Sequence, residues 1–254
     1  MNKLCIFCGG RVNSTEHVWP EWLLEIIKKW PSTNRRIHAA RLNKSGTIDR
    51  WKTVDPAIVV NCVCRQCNNG WMSNLEGIAG PILVPLIDGT AKTITFEEQV
   101  TIAAWVTKCT IVFDGMESGG SFYEQSDRFH FREHLISPID YTAFWIGHYS
   151  GSNLWAFTIH GSGRDDESRT PNKSYVQTMV FGQLVLQFAC IKPLTPRTIP
   201  VIKIQVRDGP WNNVAVKLFA NGARNMSWPL EFSFDDSNCT FQAFADRFGL
   251  KGLD

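Results

Sequence analysis

The chain has 254 residues and a formal net charge of +2, from 26 Lys or Arg and 24 Asp or Glu, a balance that does not by itself indicate a nucleic-acid partner. Eight cysteines are too few for a disulfide scaffold of this length. The first residues lack the apolar segment of a signal peptide, and no stretch reaches the roughly 18 uncharged apolar residues of a membrane span. We therefore expect a cytoplasmic protein with reduced thiols and no membrane partner.

Two Cys-x-x-Cys pairs form the strongest pattern in the chain. Two thiolates three positions apart can face one tetrahedral ion when the backbone between them turns, and two such pairs complete a closed zinc site. Gly9 and Gly10 suit that turn because glycine accepts positive φ. The pairs are separated by far more than the roughly 15 to 20 residues of a common zinc ribbon, which indicates an insertion. The predicted ligands of a structural zinc are Cys5, Cys8, Cys64 and Cys67.

The remaining cysteines leave one alternative open. Cys62 is a rival for Cys64, because it lies two residues away on a predicted strand from Ala57 to Cys64, where it could also be a small core residue. Three other cysteines stand alone and are expected to be buried apolar side chains: Cys109, Cys190 and Cys239.

Glu16 and His17 lie between the two cysteine pairs. An imidazole can take a proton from water, and a neighbouring carboxylate can hold a divalent cation that stabilises charge on a phosphate. Adjacent side chains of an extended segment face opposite ways, so these two would need a local bend to serve one site. A helix is predicted next, from Pro20 to about Trp30, with Glu25 and Lys29 as an i,i+4 ion pair on its exposed side.

The segment 28–56 is basic. Residues 1–76 carry eleven Lys or Arg and six Asp or Glu, near +5, whereas the remainder, with 15 and 18, is near −3. Basic residues interleaved with aromatics, here Trp30 and Trp51, suit a surface that follows a nucleic-acid backbone. The candidates for that contact are Arg35, Arg36, Arg41, Lys44, Arg50 and Lys52.

Asn68 and Asn69 follow the second cysteine pair at the start of a predicted helix that runs to Glu76. Either amide could supply an oxygen to the same cation as Glu16. Oxygen ligands favour Mg²⁺ or Mn²⁺ over zinc, so we expect a catalytic Mg²⁺ or Mn²⁺ in addition to the structural zinc.

The order Cys-x-x-Cys, Glu-His-Val-x-Pro, Cys-x-x-Cys-Asn-Asn resembles the zinc-knuckle branch of the HNH endonucleases, the ββα-metal nuclease superfamily. The resemblance covers roughly residues 1–80. It implies a hairpin and a helix that hold one divalent ion, with a histidine that activates water to cut a phosphodiester bond.

Carried over by position, the resemblance implies a role for each motif residue. His17 would be the general base and Glu16 a metal ligand in place of the more frequent Asp. Asn68 would be the ligand at the last motif position, with Asn69 as its competitor. Asn61 is the nearest candidate for the asparagine that braces the base, although its offset from Cys64 differs from the commonest pattern.

The second half of the chain begins after a run of helix-breaking residues between Gly77 and Gly89, which predicts a boundary. Thr95-Phe-Glu-Glu98 has capping-box spacing and predicts a helix whose apolar pattern is interrupted by Lys108 and Asp114. Another helix is predicted over Tyr123–Leu135. A hairpin around Ser150-Gly-Ser152, a loop over 161–174 and a hairpin around Gly182 should follow. The last predicted elements are strands at 199–206 and 214–219, a turn at 208–211 and a helix at 241–248.

The expected fold class is α+β, in two units. A small zinc-stapled ββα-metal domain would span 1–80 with the basic insertion 28–56, and a larger α+β domain with mainly antiparallel strands would span 90–254 and serve targeting, regulation or oligomerisation. The expected function is a metal-dependent endonuclease acting on DNA, with a homo-oligomer or a regulatory protein as further partners and antiviral defence as one setting. The alternative is a non-catalytic zinc adaptor that binds nucleic acid or a protein.

Overall fold

The computed structural model describes residues 3–30, 37–42, 48–53, 57–115, 121–139, 141–151, 154–164, 171–193, 214–219, 224–235 and 244. Its helices are α1 (Glu21–Lys28), α2 (Arg65–Cys67), α3 (Ser73–Ile87), α4 (Phe96–Asp114) and α5 (Gln125–His134), with a π-helical segment, Asn68–Met72, between α2 and α3. Its strands are β1 (Glu16–His17), β2 (Ile37–Leu42), β3 (Ile48–Thr53), β4 (Val59–Val60), β5 (Lys92–Ile94), β6 (Tyr141–Tyr149), β7 (Leu154–Arg164), β8 (Pro171–Phe181), β9 (Leu184–Pro193), β10 (Ala215–Lys217), β11 (Met226–Trp228) and β12 (Ser233–Phe234). The α+β class is therefore confirmed.

The predicted helix is present as α1, but it begins one residue later, after Pro20, and ends at Lys28; it buries Leu23, Leu24 and Ile27. The predicted partner of Glu25 was wrong. Its carboxylate pairs at 2.5 Å with Lys28 instead of Lys29, and both side chains of this pair are more than half exposed. An exposed pair of this kind contributes little to stability, because solvent screens its charges.

The predicted break after Glu76 was also wrong, because α3 continues to Ile87 through Pro81 and Pro85. A proline inside a helix costs about 3 kcal/mol, but burial of a large aliphatic side chain contributes roughly 1.5–3 kcal/mol each. The buried aliphatic side chains of α3 are Leu75, Ile82, Leu83, Leu86 and Ile87, enough to offset both prolines. The chain turns only at Gly89, which has φ of +71°.

The main sheet has the order β10-β6-β9-β8-β7-β2-β3, with β12 paired to β6. The hairpin of β8 and β9 around Gly182 is confirmed, and Gly182 has φ of +55°. The hairpin expected around Ser150 is contradicted, because β6 pairs with β9 while β7 pairs with β8. The loop expected over 161–174 is shorter than predicted, since β7 reaches Arg164 and β8 starts at Pro171.

The predicted strand from Ala57 to Cys64 is reduced to β4, which is two residues long. In a continuous strand Cys62 and Cys64 would face the same side. Here only Cys64 reaches the group of four cysteines described below, so the chain leaves the strand after Val60. The predicted elements at 199–206, 208–211 and 241–248 lie outside the described residues, apart from Phe244.

The basic insertion contributes two strands to the main sheet. Strand β2 pairs antiparallel with β3 and parallel with β7, with Ile37 opposite Leu154. The segment expected as a separate first unit therefore pairs directly with a strand of the second unit.

The two units also share a hydrophobic core. The Trp19 ring packs edge-on against Phe181 with centroids 5.1 Å apart, and Phe181 in turn contacts Trp105 of α4. Trp22 of α1 also contacts Trp105. Helices α3 and α4 pack against each other. Side chains of residues 90–254 therefore pack directly against elements of residues 1–80. Among the helices that the structure describes, none has the length and apolar character needed to cross a membrane.

Asp114, at the end of α4, is fully buried and joins α4 to α5. Its carboxylate accepts hydrogen bonds from the backbone N–H groups of Phe122 at 2.6 Å and Tyr123 at 3.1 Å, and from the Ser121 hydroxyl. It also pairs with the Arg128 guanidinium at 3.1 Å. We expect Asp114→Ala to lower the free energy of unfolding by about 3–5 kcal/mol, because it leaves a buried cation without its partner.

Urea unfolding followed by circular dichroism measures this effect. The matched control is Glu25→Ala, which removes an exposed pair and should cost far less than Asp114→Ala. Equal losses in the two variants would contradict a stabilising role for the buried Asp114–Arg128 pair.

Candidate functional site

The two cysteine pairs come together as predicted. The four Sγ atoms lie within 4.8 Å of one another, and those of Cys8 and Cys64 are 3.5 Å apart. Tetrahedral zinc with Zn–S bonds of about 2.3 Å places its sulfurs about 3.8 Å from each other. The four thiols are therefore spaced to hold one metal ion such as zinc.

Each pair is shaped by its own turn. In the first, the Cys5 N–H donates to the Gly10 carbonyl at 2.7 Å and the Gly9 N–H donates to the Cys5 carbonyl at 2.9 Å. Gly9 has φ of +69°, the conformation for which glycine was expected here. In the second, Cys64 precedes α2, and its Sγ accepts from the Cys67 N–H at 3.5 Å.

Cys62 does not belong to the thiol cluster, so Cys64 and not Cys62 is the candidate metal ligand. The Cys62 side chain is buried, and burial raises its pKa to about 12. Burial also opposes ionisation of Cys64, but hydrogen bonds from the Cys67 N–H and from the Cys8 thiol lower its pKa to about 7. The position of its Sγ among the four clustered sulfur atoms is what makes Cys64 the ligand. Cys109 and Cys190 are buried as expected, and Cys239 lies outside the described residues.

Four of the five predicted catalytic residues line one cleft of about 470 Å³. We call it the Glu-His cleft. Its polar lining includes Glu16, His17, Asn68, Asn69, Ser73 and Glu76. The two-residue strand β1 pairs antiparallel with β4, and its two residues, Glu16 and His17, both border this cleft.

Asn68 and Asn69 differ in what their side chains do. The Asn68 amide nitrogen donates to the Thr15 carbonyl at 3.0 Å and to the Ser14 hydroxyl at 2.9 Å. It thereby fixes the segment that leads into Glu16. Asn69 is exposed at the cleft.

Asn61 does not line the Glu-His cleft. It is exposed on a neighbouring groove of about 490 Å³, together with Asn13 and Arg65. The Asn13 side-chain oxygen accepts from the Arg65 N–H at 2.8 Å and so ties this groove to the start of α2. Thr15 borders both the groove and the cleft.

Glu16 has a partner that the motif did not predict. Glu16 is only 4% exposed, and its carboxylate lies 3.1 Å from the Lys108 ammonium of α4, which also bonds Glu76 at 2.5 Å. Burial and the nearby Glu76 carboxylate raise the pKa of Glu16, and the Lys108 charge opposes that rise only in part. Burial alone would lower the pKa of Lys108, but the neighbouring acidic groups raise it above its usual range.

Two sequence signals could have located these residues. Asn69, Ser73 and Glu76 are spaced by four and three residues, which places them on one face of a helix. Lys108 interrupts an apolar helix pattern, and a lysine is almost never fully buried without an acidic partner. Neither signal identifies Glu16 as that partner, because the two residues are 92 positions apart.

Three of the predicted nucleic-acid contacts, Arg35, Arg36 and Lys44, lie outside the described residues. The other three are placed in strands β2 and β3. In the backbone register of these strands, Arg41 lies opposite Asp49, Arg50 opposite Ala40, and Lys52 opposite His38.

The donor atoms of the two sites differ in kind. Four soft thiol donors suit zinc. Carboxylate and amide oxygens in the Glu-His cleft suit Mg²⁺ or Mn²⁺. The one group of three or more cysteine, histidine or carboxylate ligands found within the described ranges is the four-cysteine cluster.

Comparisons of the chain with protein-family models, with curated proteins and with solved structures found no match.

Proposed function

We propose that the protein is a metal-dependent endonuclease of the HNH type that hydrolyses phosphodiester bonds, with DNA as the preferred substrate. The observation that carries the proposal is the convergence of Glu16, His17, Asn68 and Asn69 in one cleft beside a four-thiol cluster. These residues lie on β1 and in the segment after α2, two elements that are far apart in sequence. The cysteine pairs flank both, so a zinc ion there would hold the two sides of the cleft together.

The reaction assigned to the cleft is hydrolysis by an activated water. His17 accepts a proton from water as the water oxygen bonds to phosphorus. The bond from phosphorus to the leaving sugar oxygen breaks, and that oxygen keeps the electron pair and takes a proton from solvent. Glu16 and either Asn68 or Asn69 would hold Mg²⁺ or Mn²⁺, with Glu76 as a further carboxylate at the same cleft. A bound divalent ion supplies stabilisation of the charge that develops on the phosphate oxygens.

Contact with the nucleic-acid backbone is assigned to the basic segment 28–56. Strands β2 and β3 extend the edge of the main sheet with Arg41, Arg50 and Lys52. Phosphate contacts made by such residues release counterions, so binding should weaken steeply as salt is raised.

A non-catalytic zinc adaptor is the second candidate, and one observation favours it. The Glu16 carboxylate is bonded to Lys108, so part of its capacity to hold a cation is already used. An adaptor would keep the thiol cluster and bind nucleic acid or a protein without cutting.

The deciding experiment is cutting of supercoiled plasmid by the purified protein with Mg²⁺, Mn²⁺ or EDTA, with bound zinc quantified on the same sample. Nicked or linear product that needs added Mg²⁺ or Mn²⁺ and stops with EDTA is the expected result. Intact plasmid under all conditions, with about one zinc per chain and retained DNA binding, would replace the nuclease with the adaptor.

A further inference from the structure

Lys108 connects the second half of the chain to the Glu-His cleft. It lies in the middle of α4, its side chain is completely buried, and its ammonium contacts carboxylates from two other elements, Glu16 of β1 and Glu76 of α3. Glu16 and Glu76 both line the cleft that contains His17. A residue of α4 thus determines where two acidic groups of that cleft stand.

The charges of this cluster are unequal. One ammonium is shared by two carboxylates, which leaves these three groups with a formal charge of −1. Without Lys108 the two remaining carboxylates would carry −2 and would repel each other across a buried space where Coulomb interactions are strong.

Stabilisation of the fold does not by itself explain why a lysine is buried at position 108. A buried ion pair is costly to desolvate, and well-packed apolar residues can usually replace it without loss of stability. Helix α3 already packs on α4 through apolar side chains. The distinctive effect of Lys108 is therefore on the carboxylates that line the cleft.

We propose that Lys108 is a positioning residue, which holds Glu16 and Glu76 in fixed orientations at the cleft and moderates the affinity of this carboxylate pair for a divalent cation. The proposal rests on the proposed function in taking the Glu-His cleft as the cation site. It makes α4, in the second half of the chain, part of that site.

The test compares Mn²⁺ binding by zinc-loaded wild type, Lys108→Met and Lys108→Arg, measured by electron paramagnetic resonance without DNA. Lys108→Met should bind Mn²⁺ about tenfold or more tightly than wild type, because the cation meets two carboxylates and no competing ammonium. Lys108→Arg retains the charge and should stay within about threefold of wild type.

Two further variants keep the test valid if Lys108→Met folds poorly. Glu76→Gln leaves Lys108 and Glu16 as a neutral pair and should weaken Mn²⁺ binding about tenfold. Arg128→Met is the matched control, because it removes another buried cation that is paired with α4, at Asp114. It should leave Mn²⁺ affinity unchanged.

Plasmid cutting gives a second readout. Lys108→Met should reach half-maximal rate at a lower Mn²⁺ concentration than wild type, yet its maximal rate should fall because Glu16 is no longer oriented. A loss of folded protein would lower only the maximal rate.

The two proposals fail in different ways. Equal Mn²⁺ affinity, or equal absence of Mn²⁺ binding, in wild type, Lys108→Met and Glu76→Gln would overturn the role of Lys108, whether or not the protein cuts DNA. The predicted shifts in Mn²⁺ affinity with intact plasmid throughout would support Lys108 as a positioning residue and remove the endonuclease.

Discussion

Replacement of His17 by Ala is expected to lower the rate of metal-dependent plasmid cutting by about 10²- to 10⁴-fold, the usual contribution of a general base. His17 is half-buried in β1 and lines the same cleft as Glu16 and Asn68. Alanine removes the proton acceptor and leaves the backbone pairing of β1 with β4 in place. Bound zinc and DNA binding should therefore be unchanged.

The measurement is the initial rate of nicking at saturating Mn²⁺, with zinc content and thermal unfolding determined on the same preparation. His134→Ala is the matched control, since His134 is an exposed histidine at the end of α5 and does not line the cleft. It should cut at the wild-type rate. If His17→Ala cuts as fast as His134→Ala, His17 is not the base and the assignment of the cleft must change.

Cys64→Ser is expected to remove the bound zinc and to unfold the segments that the thiol cluster joins. Apparent free energies of structural zinc binding in small zinc domains are about 10–16 kcal/mol, and that energy is folding energy where the metal organises the chain. Cys64 lies 3.5 Å from Cys8 between the sulfur atoms, and its backbone carbonyl accepts from the Asn68 N–H. Its loss should therefore also disturb the position of Asn68 in the cleft.

Cys62→Ser is the matched control for Cys64→Ser. Cys62 is buried two positions away and lies outside the thiol cluster. A buried hydroxyl without a compensating hydrogen bond costs about 1–3 kcal/mol, so this variant should be somewhat less stable and still hold about one zinc per chain. Zinc content and melting temperature measure both effects. Zinc lost from Cys62→Ser and retained by Cys64→Ser would reverse the ligand assignment.

Several elements were predictable because their signals are local. The capping box at Thr95 is present, with the Glu98 N–H donating to the Thr95 hydroxyl and the Glu98 carboxylate accepting from the Thr95 N–H. The β8–β9 hairpin turns at Gly182, where a positive φ is required. Each of these depends on residues within a few positions of one another.

The elements that were missed depend on distant contacts. Helix α3 keeps two prolines because it packs against α4, which propensity does not report. Strand β6 pairs with β9 and not with its sequence neighbour β7. Asn61 is close in sequence to Asn68 of the cleft, yet it lines a separate groove. It lies just past the end of β4 at Val60.

The amino-acid sequence by itself determined the donor chemistry of this protein: four thiols in two short turns, and a Glu-His pair with asparagines directly after the second turn. Residue type and short spacing carry that information. Only the tertiary structure decided that the Lys108 ammonium contacts Glu16 and Glu76. Its partners are the carboxylates that the packing of α4 on α3 and β1 brings within hydrogen-bond distance. The net charge of Glu16, Glu76 and Lys108 at the cleft is set by that packing.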